Sequence, residues 1–368
     1  MSERRILQIV PQLPGTLDGV GDYALNLARA LALHHGLITT FAVARATKTT
    51  AKDGFEVVSH FDSQSIVSAA VEKCDHVLLH YANYGYEKRG VPHLLRRFAK
   101  ELRAQLRGRW VTTFHEIYAS GPPWKSEFWL HPFQVKIARD LVDLSDACFV
   151  SNITVEREIR RHDPTKKIHL APVMSTFGEP QLGDFSVASP KRWAICGGTA
   201  LVARSLRSFR KMHQLVPPPF RPGQMDVIGG RDEPATRIVI EGLRRAIPGL
   251  SCSYHPESSP DHASSLLREC SFAWLDYYGD GKAWPGMVLK STAFAACAAH
   301  GVIPIMSHWE DTFAVGGDPF PGPWCMTPTV QNFPAFDRLP DLRKQIYDWY
   351  SRHAASARLA ERYVEALR

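Results

Sequence analysis

The chain has 368 residues, 45% apolar and 22% charged, with a formal charge of +7. That length exceeds one ordinary domain and predicts two domains of roughly 150–200 residues. No apolar run approaches the ~18–20 residues of a membrane-spanning helix, and the basic residues are spread along the chain without a nucleic-acid recognition module, so small anionic substrates or a membrane surface explain the charge at least as well as nucleic acid does.

"MSERRILQIV" reads as a lead-in to a first strand, "ILQIV" (6–10), and not as a secretory leader. A helix from about Gly21 to His35 follows, then a strand "LITTFAVA" (37–44). The series continues with "HVLLHYA" (76–82), "WVTTFHE" (110–116), "ACFVSN" (147–152) and "KIHLAPV" (167–173), with helical patterns at 91–108 and 133–146 between them. Short buried strands alternating with helices predict a parallel sheet covered on both faces. The stretch "MSTFGEPQLGDFSVASPKR" (174–192) has no periodicity and reads as a linker and hinge. The alternation then restarts with "WAICGG" (193–198), "MDVIGG" (225–230), "LSCSYHP" (250–256), "FAWLDYY" (272–278) and "GVIPIMS" (301–307), and ends on a helical pattern at 342–367. The expected fold is α/β: two doubly wound, Rossmann-like parallel-sheet domains facing across a cleft. The expected divisions are 1–175, 176–345 and a C-terminal helix, 346–368, that crosses back to the first domain on Ile346, Trp349, Tyr350, Leu359 and Tyr363. Seven scattered cysteines without a C-x-x-C pair predict buried free thiols in a reducing cytoplasm and no metal site built from them.

Three stretches carry chemistry. In "GTLDGVGDYALNLARAL" (15–31), Gly19 and Gly21 let backbone amides approach an anion at a helix start, or simply make a tight turn capped by Asp18 or Asp22. The spacing is neither that of a dinucleotide fold nor that of a P-loop. In "TTFHEIYASGPPW" (112–124), His115 and Glu116 end a buried strand, where His115 faces the ligand layer or serves the core. In "GKAWPGMVLKSTAFAACAAHGVIPI" (281–305), Ser291 can cap an alanine-rich helix ending at His300. Free amides, the Lys290 ammonium and the Ser291 and Thr292 hydroxyls would together cradle a pyrophosphate.

In this order the three stretches, with "SDACFVSN" and "AICGGTALVARSL", resemble the retaining glycosyltransferases of the GT-B fold, particularly glycosyltransferase family 4, over nearly the whole chain. The resemblance implies that Gly19, Val20 and Gly21 lie against the donor sugar and phosphates, and that His115 lies at the reacting sugar. It sets Arg204 near the family's phosphate-binding lysine, and Gly198 and Thr199 near its arginine, which is either missing or moved to Arg207. The family's two glutamates fall, without a gap, on Val288 and Ala296, so Asp276 or Asp280 is the candidate carboxylate for the nucleotide.

The activity so implied is transfer of a sugar from a nucleotide-diphosphate sugar to an acceptor hydroxyl with retention, by a hexosyltransferase of polysaccharide or glycolipid assembly. It requires no cofactor and no metal. The chain has no D-x-D, and Lys290 and Arg204 would balance the phosphate charge. The implied partners are a nucleotide sugar and a sugar, glycolipid or polysaccharide acceptor, with no nucleic acid. The implied location is cytoplasmic; "HLLRRFAKELRAQLRGR" (93–109) reads as a surface helix that docks its leucines on the first domain's sheet with solvated arginines outside, or as one whose arginine face also rests on the inner face of an anionic membrane. The alternative reading is a non-catalytic GT-B-like protein that binds a nucleotide sugar or supports a partner enzyme.

Overall fold

The apolar runs become buried parallel strands in the computed structural model, which describes residues 5–13, 19–45, 49–59, 74–186, 189–278, 286–309 and 311–368. Met1–Ala171 and Ser356–Arg368 form one compact unit, and Pro172–Ala355 the other. The first unit contains β1 (Arg5–Val10), β2 (Ile38–Val43), β3 (Ala51–Lys52), β4 (Phe55–Ser59), β5 (His76–Tyr81), β6 (Trp110–Phe114), β7 (Ala147–Val150) and β8 (Ile168–Leu170). Its helices are α1 (Gly19–His35), α2 (His93–Gln105), α3 (Ser126–Leu144) and α4 (Ile153–His162).

The sheet order is β3-β4-β2-β1-β5-β6-β7-β8, parallel throughout except for the β3–β4 hairpin. Winding runs outward from β1 through β2 to β4. It then returns to β5 and proceeds the other way, so the β1–β5 pair is the topological switch point. The hairpin is absent from the sequence-based series, although its turn residues, Asp53 and Gly54, both take positive φ (52° and 82°). That is the backbone an Asp-Gly hairpin turn adopts.

On α2, Leu95, Phe98, Ala99 and Leu102 are buried, an apolar stripe at helical spacing. The cations around that stripe are partly paired. Arg96 pairs with Asp140, Lys100 reaches the same carboxylate at 3.5 Å, and Arg103 and Arg109 reach Asp146 at 3.3 and 3.5 Å. Two carboxylates, on and just after α3, thus engage four of the six cations of 93–109 and offset part of that charge.

The second unit contains β9 (Arg192–Cys196), α5 (Thr199–Met212), β10 (Gln224–Ile228), α6 (Pro234–Ala246), β11 (Ser251–His255), α7 (Pro260–Glu269), β12 (Phe272–Leu275), α8 (Thr292–Ala299) and β13 (Ile303–Met306). A hairpin of β14 (Ala314–Val315) and β15 (Asp318–Pro319), then β16 (Trp324–Met326), β17 (Gln331–Asn332) and α9 (Leu339–His353), complete it. The order β11-β10-β9-β12-β13-β16-β17 repeats the reversed winding, with its switch point between β9 and β12.

The expected linker is not a free tether where it is described. Ser175 N–H donates to Tyr350 Oη at 2.8 Å, Tyr347 Oη donates to Pro180 O at 3.1 Å, and Arg343 Nη1 donates to Ser186 O at 2.7 Å. Its backbone groups, unpaired by any periodic element, find partners on α9, so residues 174–186 belong to the second unit.

The terminal helical pattern is two helices. Ala354 and Ala355 both donate to Tyr350 O and close α9, and α10 (Ser356–Leu367) belongs to the first unit. Ile346, Trp349 and Tyr350 are buried on α9, whereas Leu359 and Tyr363 are buried on α10. The Tyr363 ring stacks on Phe149 with centroids 3.9 Å apart, and its hydroxyl lies 2.6 Å from Thr113 Oγ1 and 3.2 Å from Tyr23 Oη. Tyr363→Ala is expected to destabilise the first unit by about 3–5 kcal/mol, as for other buried aromatic truncations. Tyr363→Phe, which leaves the buried Thr113 hydroxyl short of a partner, should cost about 1–3 kcal/mol. Urea titration with amide exchange read in β6 and β7 checks the order. Equal losses would mean that the hydroxyl, not the stacked ring, dominates.

Candidate functional site

Parallel strands direct their carboxyl ends to one edge of the sheet, and at a switch point the loops there diverge and leave room for a ligand. In the first unit a ladder of polar side chains crosses four adjacent strands toward that place, from Thr39 near the start of β2 and Gln8 within β1 to His80 and His115 at the ends of β5 and β6. Gln8 Nε2 donates to Thr39 Oγ1 at 3.2 Å, Gln8 Oε1 meets His80 Nε2 at 2.9 Å, and His80 Nδ1 meets His115 Nε2 at 3.3 Å. Thr39, Gln8 and His80 are fully buried, on β2, β1 and β5, while His115 is half-buried just beyond β6. The His115 amide extends the β5–β6 pairing by donating to Tyr81 O at 2.9 Å. Tyr23, from the second turn of α1, sets its ring edge-on to His115 at 5.0 Å.

This ladder fixes protons. Burial pushes the His115 imidazole down to about 4, and burial together with the neighbouring His115 pushes His80 well below its ordinary value. Both rings are therefore neutral at neutral pH. With Gln8 Nε2 on Thr39, its carbonyl faces His80 Nε2 and can only accept, which puts the His80 proton on Nε2. His80 Nδ1 then accepts from His115 Nε2–H, which leaves His115 Nδ1 as a bare acceptor for a hydroxyl. Gln8 and His80 escaped the sequence reading; the available signal was a polar residue inside each of two buried strands. Glu116 is exposed, as is Gly19; Val20 is half-buried and Gly21 buried. The three residues from Gly19 to Gly21 form the first turn of α1, not a loop ahead of it.

The second unit's switch point joins two helix starts. Gly197 takes φ +129°, and a Cβ there would lie 2.8 Å from Leu201 Cδ2 and 3.2 Å from Ala293 Cβ. Only a glycine lets the β9–α5 turn pack so closely on the first turn of α8. Gly198 caps α5, and a Cβ added to it would meet nothing within 4 Å. The Thr199 hydroxyl accepts from Arg231 N–H at 2.8 Å, tying the β9 and β10 turns together. Ser291 caps α8, its hydroxyl accepting from Phe294 N–H at 3.2 Å, and half-buried Thr292 opens the helix. The Lys290 side chain, half-buried beside this cap, has no hydrogen-bond or ion-pair partner among the described residues. First-turn amides of both helices lack intrahelical acceptors, so two partial positive ends and one ammonium are brought together.

Arg204 bridges the switch point itself, donating from Nε to Asp276 O at 2.8 Å and from Nη2 to Tyr277 O at 2.6 Å. Its guanidinium holds the loop after β12 and also lines a cavity of about 620 Å³ with Arg207, Lys211, Asp276 and Ser307. Val288 and Ala296, where the resemblance puts its glutamates, are both fully buried in apolar surroundings. A carboxylate there would be desolvated without a partner. Asp276 is the carboxylate present at the end of β12, and Asp280 lies outside the described residues. Among the described residues no cluster of three metal-ligating side chains forms, and all seven cysteines are free and buried.

The fold with these two switch points is that of the GT-B glycosyltransferases. The chain is similar over 100% of both lengths to T4 alpha-glucosyltransferase in complex with UDP (TM-score 0.61, 14% identity). A glycosyltransferase from Rickettsia africae ESF-5 is similar over 99% of this chain and 98% of its own (0.58, 10%). The lipopolysaccharide outer core galactosyltransferase WaaB, in its apo form, is similar over 98% of both (0.54, 10%). No family model and no curated protein matches the sequence.

The buried imidazoles predict a pH dependence. The ordinary imidazole titrates near 6.5, whereas His115 in the folded chain titrates at about 4. Between those values the unfolded state binds more protons, so stability is full above the upper value and is lost as pH falls through the window. The burial of His80, His169 and His300 acts in the same direction. Thermal melts between neutral pH and the lower value should show this decline, and His115→Gln should make it shallower. An unchanged slope would mean that His115 titrates normally.

Proposed function

We propose that the chain moves a sugar from a nucleotide-diphosphate sugar to an acceptor hydroxyl with retention, as a hexosyltransferase similar to glycosyltransferase family 4. The observation that carries this is the meeting of the α5 and α8 starts at the second unit's switch point, beside Lys290. A diphosphate needs dispersed positive charge that does not have to reorganise, and amides of Gly198, Thr199, Thr292 and Ala293 with the Lys290 ammonium supply it. Arg204, with its guanidinium partly engaged by carbonyls, and Arg207 add charge at the flank. The domain roles follow the resemblance: the first unit for the acceptor, the second for the donor nucleotide, with Asp276 or Asp280 toward the ribose.

In the reaction the bond between the anomeric carbon and the phosphate oxygen breaks, with its electron pair going to the leaving diphosphate. The acceptor oxygen forms the new bond on the same face, and the departing phosphate takes its proton. The protein's task is to hold charge and orientation. His115, with its proton fixed on Nε2, offers Nδ1 to a hydroxyl of the bound sugar. The reaction so written uses no metal. The proposed acceptor is a sugar, glycolipid or polysaccharide in the cytoplasm. The structures of alpha-glucosyltransferase include complexes with DNA as well as UDP, so a basic chain of this fold that lacks a base-reading motif is no argument against nucleic acid.

The buried Val288 and Ala296 favour a second reading, nucleotide-sugar binding without transfer. Calorimetry with nucleoside diphosphates and a turnover assay with their sugars separate the two. Lys290→Ala should weaken diphosphate binding by about 1.5–3 kcal/mol through loss of a charge-assisted contact. His115→Ala should lower turnover far more than it lowers binding. Unchanged affinity in Lys290→Ala would move the donor site elsewhere, and tight binding without nucleotide release would establish the non-catalytic reading.

A further inference from the structure

The first unit leaves an aromatic surface uncovered where the chain enters α3. Trp124 is 83% exposed, Trp129 67%, Phe133 54% and Phe128 43%, and Leu94 at the start of α2 is 55% exposed. Among the described residues of this unit, Leu33 is the one other large apolar side chain so exposed. The patch is built, not frayed. Trp129 Nε1–H donates to Pro123 O at 2.8 Å, and the Phe128 and Trp129 rings meet edge-to-face at 5.2 Å. The indole N–H is thereby satisfied, and the ring remains open to an apolar partner. Leu94 and Phe133 also line a groove of about 600 Å³ with Arg89 and His93, so the surface continues from α3 to α2.

Cations predominate around it, against two half-buried carboxylates, Glu87 in the groove and Glu127 beside Lys125. Lys125, Trp129, Phe133 and Lys136 recur at helical spacing, at the cap and along one face of α3. Lys88, Arg89, Lys125 and Lys136 are exposed, and none forms an ion pair among the described residues. This separates them from Arg96, Arg103 and Arg109, which the carboxylates of Asp140 and Asp146 occupy. Protruding tryptophan and phenylalanine framed by unpaired lysines match the boundary between headgroups and acyl chains, where aromatic rings settle and cations meet phosphate.

We propose that this face docks peripherally on a bilayer surface bearing anionic headgroups. Trp124, Trp129 and Phe133 enter the interface, and Lys88, Arg89, Lys125 and Lys136 contact the phosphates. Docking is independent of the transfer reaction. A membrane-borne acceptor is its consequence only on the reading proposed above, and vesicle binding is measured without that reaction.

The test uses the full chain with vesicles of phosphatidylcholine alone and of phosphatidylcholine with phosphatidylglycerol, at low and high salt. The chain should sediment with the anionic vesicles at least about tenfold more strongly than with the neutral ones, with tryptophan emission moving to shorter wavelength. Trp124→Ser with Phe133→Ser should lower that binding about tenfold or more, with the melting temperature and diphosphate binding unchanged. Lys125→Glu with Lys136→Glu should do the same most strongly at low salt, and Arg97→Ala should bind as the unaltered chain does. A chain that stays in the supernatant with anionic vesicles at low salt overturns the proposal, as does an aromatic double variant that still sediments fully. Loss of single-stranded oligonucleotide binding in the same variants, without vesicle binding, would reassign the face to nucleic acid.

Discussion

Reversal of winding in a parallel sheet is the constraint on which the rest of this structure depends. A right-handed crossover carries each helix to one face of the sheet, so the connections that leave β1 and β5, or β9 and β12, diverge. The edge between them is the one place where backbone amides and strand-end side chains are not covered by the next connection. In the first unit that edge receives His80 and His115, supported by Gln8 from within β1. In the second it receives the Gly197–Thr199 turn, the Ser291 cap and Lys290. The unusual residues of both units lie at those edges because topology leaves them nowhere better to act.

The two sites store polarity differently. The first buries a ladder of neutral side chains inside an apolar sheet, which is tolerable only because each member found a partner. Its consequence is a histidine, His115, that burial keeps neutral with Nε2 turned to His80. The second relies on main-chain dipoles, which need no side-chain ordering and keep their charge at any pH. Gly197 is essential to it, because a side chain there would push α5 and α8 apart. Arg204 adds a brace whose acceptors are carbonyls beyond β12, so it shapes the loop as well as supplying charge.

Strand runs such as "ILQIV", "WVTTF" and "WAIC" were legible because parallel strands buried on both faces read as continuous apolar segments. The Ser291 cap and the alanine-rich α8 were legible because capping and small-residue packing are local. The β3–β4 hairpin carried a local sign in Asp53-Gly54 but breaks the strand–helix rhythm that governed the reading. Gln8 and His80 show the limit: partners 72 residues apart in sequence become a hydrogen-bonded pair only through strand order. The arginines of α2 show a second limit, since helical spacing reveals a charged face but not the Asp140 and Asp146 carboxylates that pair with part of it. The exposed Trp124 and Trp129 could not be told from core residues without the packing itself.

The central claim is that main-chain amides at the second unit's switch point hold a diphosphate. Amide hydrogen exchange of the full chain, with and without a saturating nucleoside diphosphate, tests it most directly. The account predicts slowed exchange at Thr199, Ala200, Thr292 and Ala293, because these first-turn amides have no acceptor within their helices. Binding that leaves those four amides exchanging at their original rates would contradict it, wherever else protection appeared.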